Sequence, residues 1–98
     1  MSDVQVKHDR DAKRFEAQVT GGTALVEYDE RKGEITFLHT EVPREAAGQG
    51  VAQALAKNAL QYARDNKLRV IPECEYIASY VRKHKEYDDI LHLDYIDE

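Results

Sequence analysis

The chain has 98 residues, 42% hydrophobic and 34% charged, with a formal net charge of −5. That is enough for one domain with its own core and too little for two. The acidic balance argues against nucleic acid as a partner, no stretch approaches the roughly 20 apolar residues that cross a bilayer, and the polar N-terminus shows no signal-peptide core. A single cysteine, Cys74, excludes an internal disulfide and a cysteine-rich zinc site. The expectation is a cytoplasmic protein in a reducing compartment, without nucleic-acid, membrane or metal partners.

Residues 1–11 are polar and are expected to be a flexible N-terminus. Phe15, Ala17 and Val19 alternate with polar neighbours and predict a strand; Gly21-Gly22 marks a hairpin; Ala24, Val26 and Tyr28 alternate again. Asp29 to Gly33 reads as a polar turn. Ile35 to Val42 is rich in β-branched and aromatic residues and predicts a third strand, ended by Pro43, which has no N–H for a ladder. The period then changes. Ala52, Leu55, Ala56, Ala59, Leu60 and Ala63 fall on one face of an amphipathic helix that ends near Asp65-Asn66. Leu68 to Ile71 predicts a short strand closed by Pro72, and residues 74–83 a second helix. Leu91, Leu93 and Tyr95 alternate, so the tail reads as an extended or edge strand. The order β-β-β-α-β-α predicts an α/β (α+β) mixed sheet: an antiparallel meander, then a right-handed crossover to a parallel fourth strand, with the helices packed against it.

The most informative stretch is Val42-Pro43-Arg44-Glu45-Ala46-Ala47-Gly48-Gln49-Gly50-Val51-Ala52. A strand runs into a glycine turn that opens a helix. The first helical turn presents unpaired N–H groups and partial positive charge, and glycine lets a ligand approach that backbone closely. The combination suits a phosphate or pyrophosphate. Gln53 stands where a dinucleotide fingerprint needs glycine, and no Gly-Lys-Ser or Gly-Lys-Thr is present. From the glycines alone, a tight strand-to-helix turn without a ligand is an equal reading.

The stretch resembles the acetyl-coenzyme A motif of GNAT acetyltransferases, Arg or Gln followed by x-x-Gly-x-Gly/Ala. Aligned on Gly50 and Ala52, the first position falls on Ala47, so the usual side chain is absent; the amides of Gly48, Gln49, Gly50, Val51 and Ala52 remain, and Arg44 is a candidate for the lost charge. His39-Thr40-Glu41-Val42 matches the strand that holds the pantetheine arm in that superfamily. With Val70-Ile71-Pro72-Glu73-Cys74-Glu75-Tyr76, Tyr80 and His84-Lys85-Glu86-Tyr87 following in order, the chain resembles a subfamily of very small stand-alone GNAT-like proteins over roughly residues 14–89. Lys85 replaces a usual proline. The resemblance implies an acyl-coenzyme A-binding domain at 12–89, with 90–98 as an acidic extension.

For the chemistry, Glu41 is a candidate base or an ordinary surface carboxylate. Cys74 is a candidate acyl-accepting nucleophile, a pocket lining or a small buried residue; its place before the second helix favours thiolate character. Tyr80 is the positional match for the GNAT acid that protonates the leaving thiolate, whereas Tyr76 and Tyr87 read as core packing. His39 reads as a half-buried sheet histidine and His84 as a cap. The helices that usually follow the first strand in GNAT enzymes are missing, which implies an open acceptor side. The function implied is acetyl-coenzyme A-dependent N-acetyl transfer to an amine, such as a protein lysine or N-terminus, by a monomer or weak homodimer. The alternatives are a non-catalytic acyl-coenzyme A-binding module and an adaptor domain.

Overall fold

The computed structural model describes residues 4–95. Five strands form one sheet in the order β1 (Lys7–Asp9), β2 (Arg14–Val19), β3 (Gly22–Arg31), β4 (Glu34–Glu41) and β5 (Arg69–Pro72). β1 to β4 are antiparallel neighbours, and β4 pairs β5 in parallel after the crossover through helix α1 (Val51–Asp65). Helix α2 (Glu75–Lys83) follows β5. The expected mixed α/β order is thus present, and the expected loose N-terminus is corrected at one place. Lys7–Asp9 adds an edge strand, with His8 opposite Phe15. Its polar residues hide it from pattern reading; it is held by its ladder to β2 and by the His8 ring, stacked 4.0 Å from Phe15.

Phe15, Ala17, Ala24, Val26, Tyr28, Ile35, Phe37 and Val70 are all buried and all lie on one sheet face. That face takes the α1 stripe of Val51, Leu55, Ala56, Ala59, Leu60 and Ala63. Val51 joins the stripe in full while Ala52 is half-buried at the mouth of the glycine turn. The small alanines let the helix sit close to the sheet, and β2 and β3 lie beneath it. α2 packs on β4 and β5 through Ile77 and Val81, and scarcely touches α1.

The tail departs from the expected strand. Residues 85–90 form a 3₁₀ helix that buries Tyr87 and Ile90, and Leu91 makes one isolated parallel bridge to Val70. The Tyr95 N–H then donates to the His92 carbonyl at 2.8 Å, which closes a second 3₁₀ turn over Leu93–Tyr95. Leu93 is 77% exposed, so the alternation of Leu91, Leu93 and Tyr95 does not mark one buried face. Residues 96–98 of the acidic extension lie outside the described residues. No helix among the described residues is long and apolar enough to cross a membrane.

Candidate functional site

The site begins with a bulge. In β4 the pairing with β3 runs Tyr28 to Phe37 and then Glu27 to His39, which leaves Leu38 as an extra residue. Strict alternation from Ile35 and Phe37 would send His39 and Glu41 inward. The bulge reverses this: Thr40, opposite Val26, shares the helix-side face, while His39 and Glu41, opposite Glu27 and Leu25, turn outward. His39 and Glu41 stay exposed, and His39 Nε2 lies 2.9 Å from a Glu41 carboxylate oxygen.

The second feature is a fork. β4 and β5 pair from Glu34–Arg69 to Phe37–Pro72. The Cys74 N–H then donates to the Phe37 carbonyl at 2.7 Å, and the β4 segment from Leu38 to Glu41 has no β5 partner. At the fork, Thr40 Oγ1 and Cys74 Sγ lie 2.8 Å apart. Cys74 is free, buried, and the N-cap of α2. One strand therefore carries two pairs: Thr40 with Cys74 inside, and His39 with Glu41 outside.

The third feature is the glycine turn. Arg44–Ala46 forms one 3₁₀ turn after β4, with Arg44 exposed. Gly48 and Gly50 then take φ of 80° and 76°, a left-handed backbone that side chains resist. Gly50 is the N-cap of α1; no side chain caps that end, and the first turn holds no acidic residue. The first amides of α1 thus face a shallow depression lined by Val42, Ala47, Gly48, Gly50, Val51 and Ala52. A β-carbon on Gly48 would meet nothing within 4 Å, so the approach to the turn is open. Gln49, between the two glycines, is exposed. Open left-handed glycines, an uncapped helix start and an unpaired strand edge fit the diphosphate and the amide-bearing arm of coenzyme A.

Tyr80 stands apart from Cys74. Six residues of helix separate them, about 9 Å along the axis at 1.5 Å per residue. Tyr80 stacks on His84 at 4.2 Å and lies 6.1 Å from both Tyr76 and Tyr87. Burial raises its phenol pKa, aided by Tyr87 and Tyr76, so the hydroxyl stays protonated. His84 is the C-cap of α2, and Tyr87 is buried as core packing. Tyr76 is half-buried, with its pKa also raised by burial. The Thr40 hydroxyl is invisible to the sequence pattern, which involves Thr40 only through its backbone; its contact with Cys74 depends on the fold. No group of three metal-ligating side chains converges among the described residues.

An α/β sheet that forks after its parallel pair, with a glycine turn at the start of the crossover helix, defines a minimal GNAT-like fold. The solution structure of a GCN5-like protein from Staphylococcus aureus superposes with a TM-score of 0.73 at 28% identity, covering 94% of this chain and 91% of that one. Protein NATD1 of Gallus gallus is 33% identical over 94 residues, spanning 92% of this chain and 84% of its own length. The human NATD1 is 33% identical over 85 residues, spanning 83% and 74%. The GCN5-related N-acetyl-transferase family matches residues 14–90, and the chain belongs to that family.

Proposed function

We propose that this protein is an acetyl-coenzyme A-dependent N-acetyltransferase acting on a primary amine. The observation that carries the reading is the fork itself: an unpaired β4 edge, the Thr40–Cys74 contact and the uncapped α1 start lie in succession along β4 and the turn that follows it. In this reading the amides of Gly48, Gly50, Val51 and Ala52 bind the diphosphate, with Arg44 as an added cation, and the β4 backbone from His39 to Val42 holds the pantetheine arm. Acetyl-coenzyme A supplies the activated acyl thioester.

Transfer forms one N–C bond on the acceptor, breaks the thioester C–S bond and releases coenzyme A and a proton. His39 takes the amine proton, and Glu41 orients the imidazole and balances the charge it gains. This moves the base from Glu41 to His39 and keeps Glu41 as its partner. Thr40 and Cys74 spend one hydrogen on their mutual bond and leave the other to donate where negative sulfur develops, and the α2 N-terminus adds its dipole. Tyr80, held protonated, supplies a proton only through an intervening group, given its distance along α2. The free thiol suits the reducing cytoplasm.

Calorimetry and a thiol-release assay test this. Micromolar acetyl-coenzyme A binding and amine-dependent thiol release, abolished by His39→Ala, are expected. Binding without release for any amine would leave the non-catalytic module; no binding at millimolar cofactor would leave the adaptor domain.

A further inference from the structure

The β2–β3 hairpin closes with Val19 opposite Gly22. Gly21 and Gly22 both take positive φ, 92° and 144°. Their surroundings differ. A β-carbon on Gly22 would meet only the Pro43 ring, at 3.8 Å, an ordinary contact. A β-carbon on Gly21 would lie 2.5 Å from Glu45 Oε1, 2.9 Å from its Cδ and 3.1 Å from its Cβ. The Glu45 side chain therefore lies along the bare Gly21 backbone, in space that any other residue at 21 would fill. Glu45 belongs to the 3₁₀ turn that leads from β4 to the glycine turn, and Ala46 beside it is fully buried. The backbone of that turn is held by its own bonds: Ala46 N–H to the Pro43 carbonyl at 2.9 Å, Ala47 N–H to Arg44 at 3.1 Å and Gln49 N–H to Ala46 at 3.3 Å. The Glu45 side chain is thus free to move without moving the turn.

Charge makes this placement matter. Glu45 is the only acidic residue between Glu41 and Asp65, so it is the one carboxylate the chain carries on the approach to the α1 start. Its side chain has no hydrogen bond or ion pair among the described residues, and it does not line the depression at Gly48 and Gly50. Swung over that depression, the carboxylate would repel a diphosphate and compete for the exposed Arg44 guanidinium. We propose that Gly21 is a positioning residue for the cofactor: its missing side chain is the seat that keeps the Glu45 carboxylate off the glycine turn, a reading that rests on the coenzyme A assignment. The second glycine of the hairpin has no such part, because its neighbour is the uncharged Pro43 ring.

Calorimetry with acetyl-coenzyme A on variants of the full chain tests this without reading turnover. Gly21→Ala evicts the carboxylate and should weaken affinity about fivefold at low salt, a gap that closes as added salt screens the repulsion. Gly22→Ala strains the same hairpin without touching Glu45; it should bind like the parent, although both variants lower the urea midpoint. Glu45→Gln alone should stay within about twofold of the parent, because the charge it removes is already held away from the turn. The double variant Gly21→Ala with Glu45→Gln should return to that level, which a distorted turn would not. Parental affinity in Gly21→Ala, an equal loss in Gly22→Ala or in the double variant, or severalfold tighter binding by Glu45→Gln alone would overturn the proposal, and the last of these needs no change in the hairpin. No binding by the parent would instead sink the coenzyme A reading on which it rests.

Discussion

In the proposed reaction, Thr40 and Cys74 are the pair on which the chemistry turns. Their 2.8 Å contact sets the Thr40 hydroxyl against the Cys74 sulfur at the mouth of the fork. Thr40→Val keeps the shape and removes the hydroxyl, at a cost of about 1 kcal/mol, the net worth of one hydrogen bond. Acetyl transfer should fall severalfold with acetyl-coenzyme A affinity nearly unchanged, and Thr40→Ser should restore it; a variant as fast as the parent would remove Thr40 from the mechanism. Gly50 is a backbone residue in the same sense. Its φ of 76° costs an alanine about 1–2 kcal/mol, although a β-carbon there would come only within 3.9 Å of Gln53. Gly50→Ala should therefore lower the urea midpoint modestly. Gly50→Val adds bulk at the uncapped helix start and should abolish measurable cofactor affinity by calorimetry; unchanged affinity would displace the diphosphate site.

Among the elements, β1 has the least local support and the most specific side-chain anchor. His8 stacks on Phe15 and lies 2.6 Å from the Tyr28 hydroxyl, with the Tyr62 ring edge-on at 4.5 Å. Burial, then the Arg10 charge, lowers the His8 pKa below 6.5, with Glu30 and Asp9 opposing. Burial also pushes the Tyr28 phenol up to about 12, so it stays neutral. Below the unfolded histidine value the unfolded chain binds the extra proton first. Stability contributed by neutral His8 is therefore present above pH 6.5 and lost as pH falls through its folded value. Urea midpoints should drop from neutral pH towards pH 5.5, and His8→Gln should flatten part of that slope; a parallel profile would mean His8 is not involved. The elements also mark what was legible. Strand alternation and the alanine stripe are local signals, so β2 to β5 and both helices could be read directly. The bulge at Leu38 could not, because it arises from pairing with β3, and it decides which of His39, Thr40 and Glu41 face the fork. Lys7–Asp9 carries no apolar pattern at all, and Leu91 to Tyr95 carries a false one.

Over the whole molecule, two helices cover one sheet face and the other is left open. The glycine turn and the Cys74 segment are legible as candidate sites because each sits at a sequence boundary. The coupling of Thr40 to Cys74, 34 positions apart, needs the parallel crossover to bring it about. The far end of the fold is tied by Arg64, which grips Asp89 at 2.6 and 3.1 Å, donates to the Glu86 carbonyl at 2.9 Å and lies over the Tyr87 ring. The guanidinium holds the Asp89 carboxyl below its usual range. Because these groups are exposed and screened by water, Arg64→Ala should lower the Tm only modestly, read by thermal melting. A Tm within one degree of the parent would show that the 85–90 turn is held by Tyr87 and Ile90 alone.

The central claim is that coenzyme A lies along the fork and the glycine turn. The most direct measurement is an amide chemical-shift titration of the full chain with acetyl-coenzyme A. Saturable shifts should concentrate at His39 to Val42, at Gly48 to Ala52 and at Cys74. No shifts at millimolar cofactor, or shifts centred on the groove between α2 and Leu91–Tyr95, would contradict it.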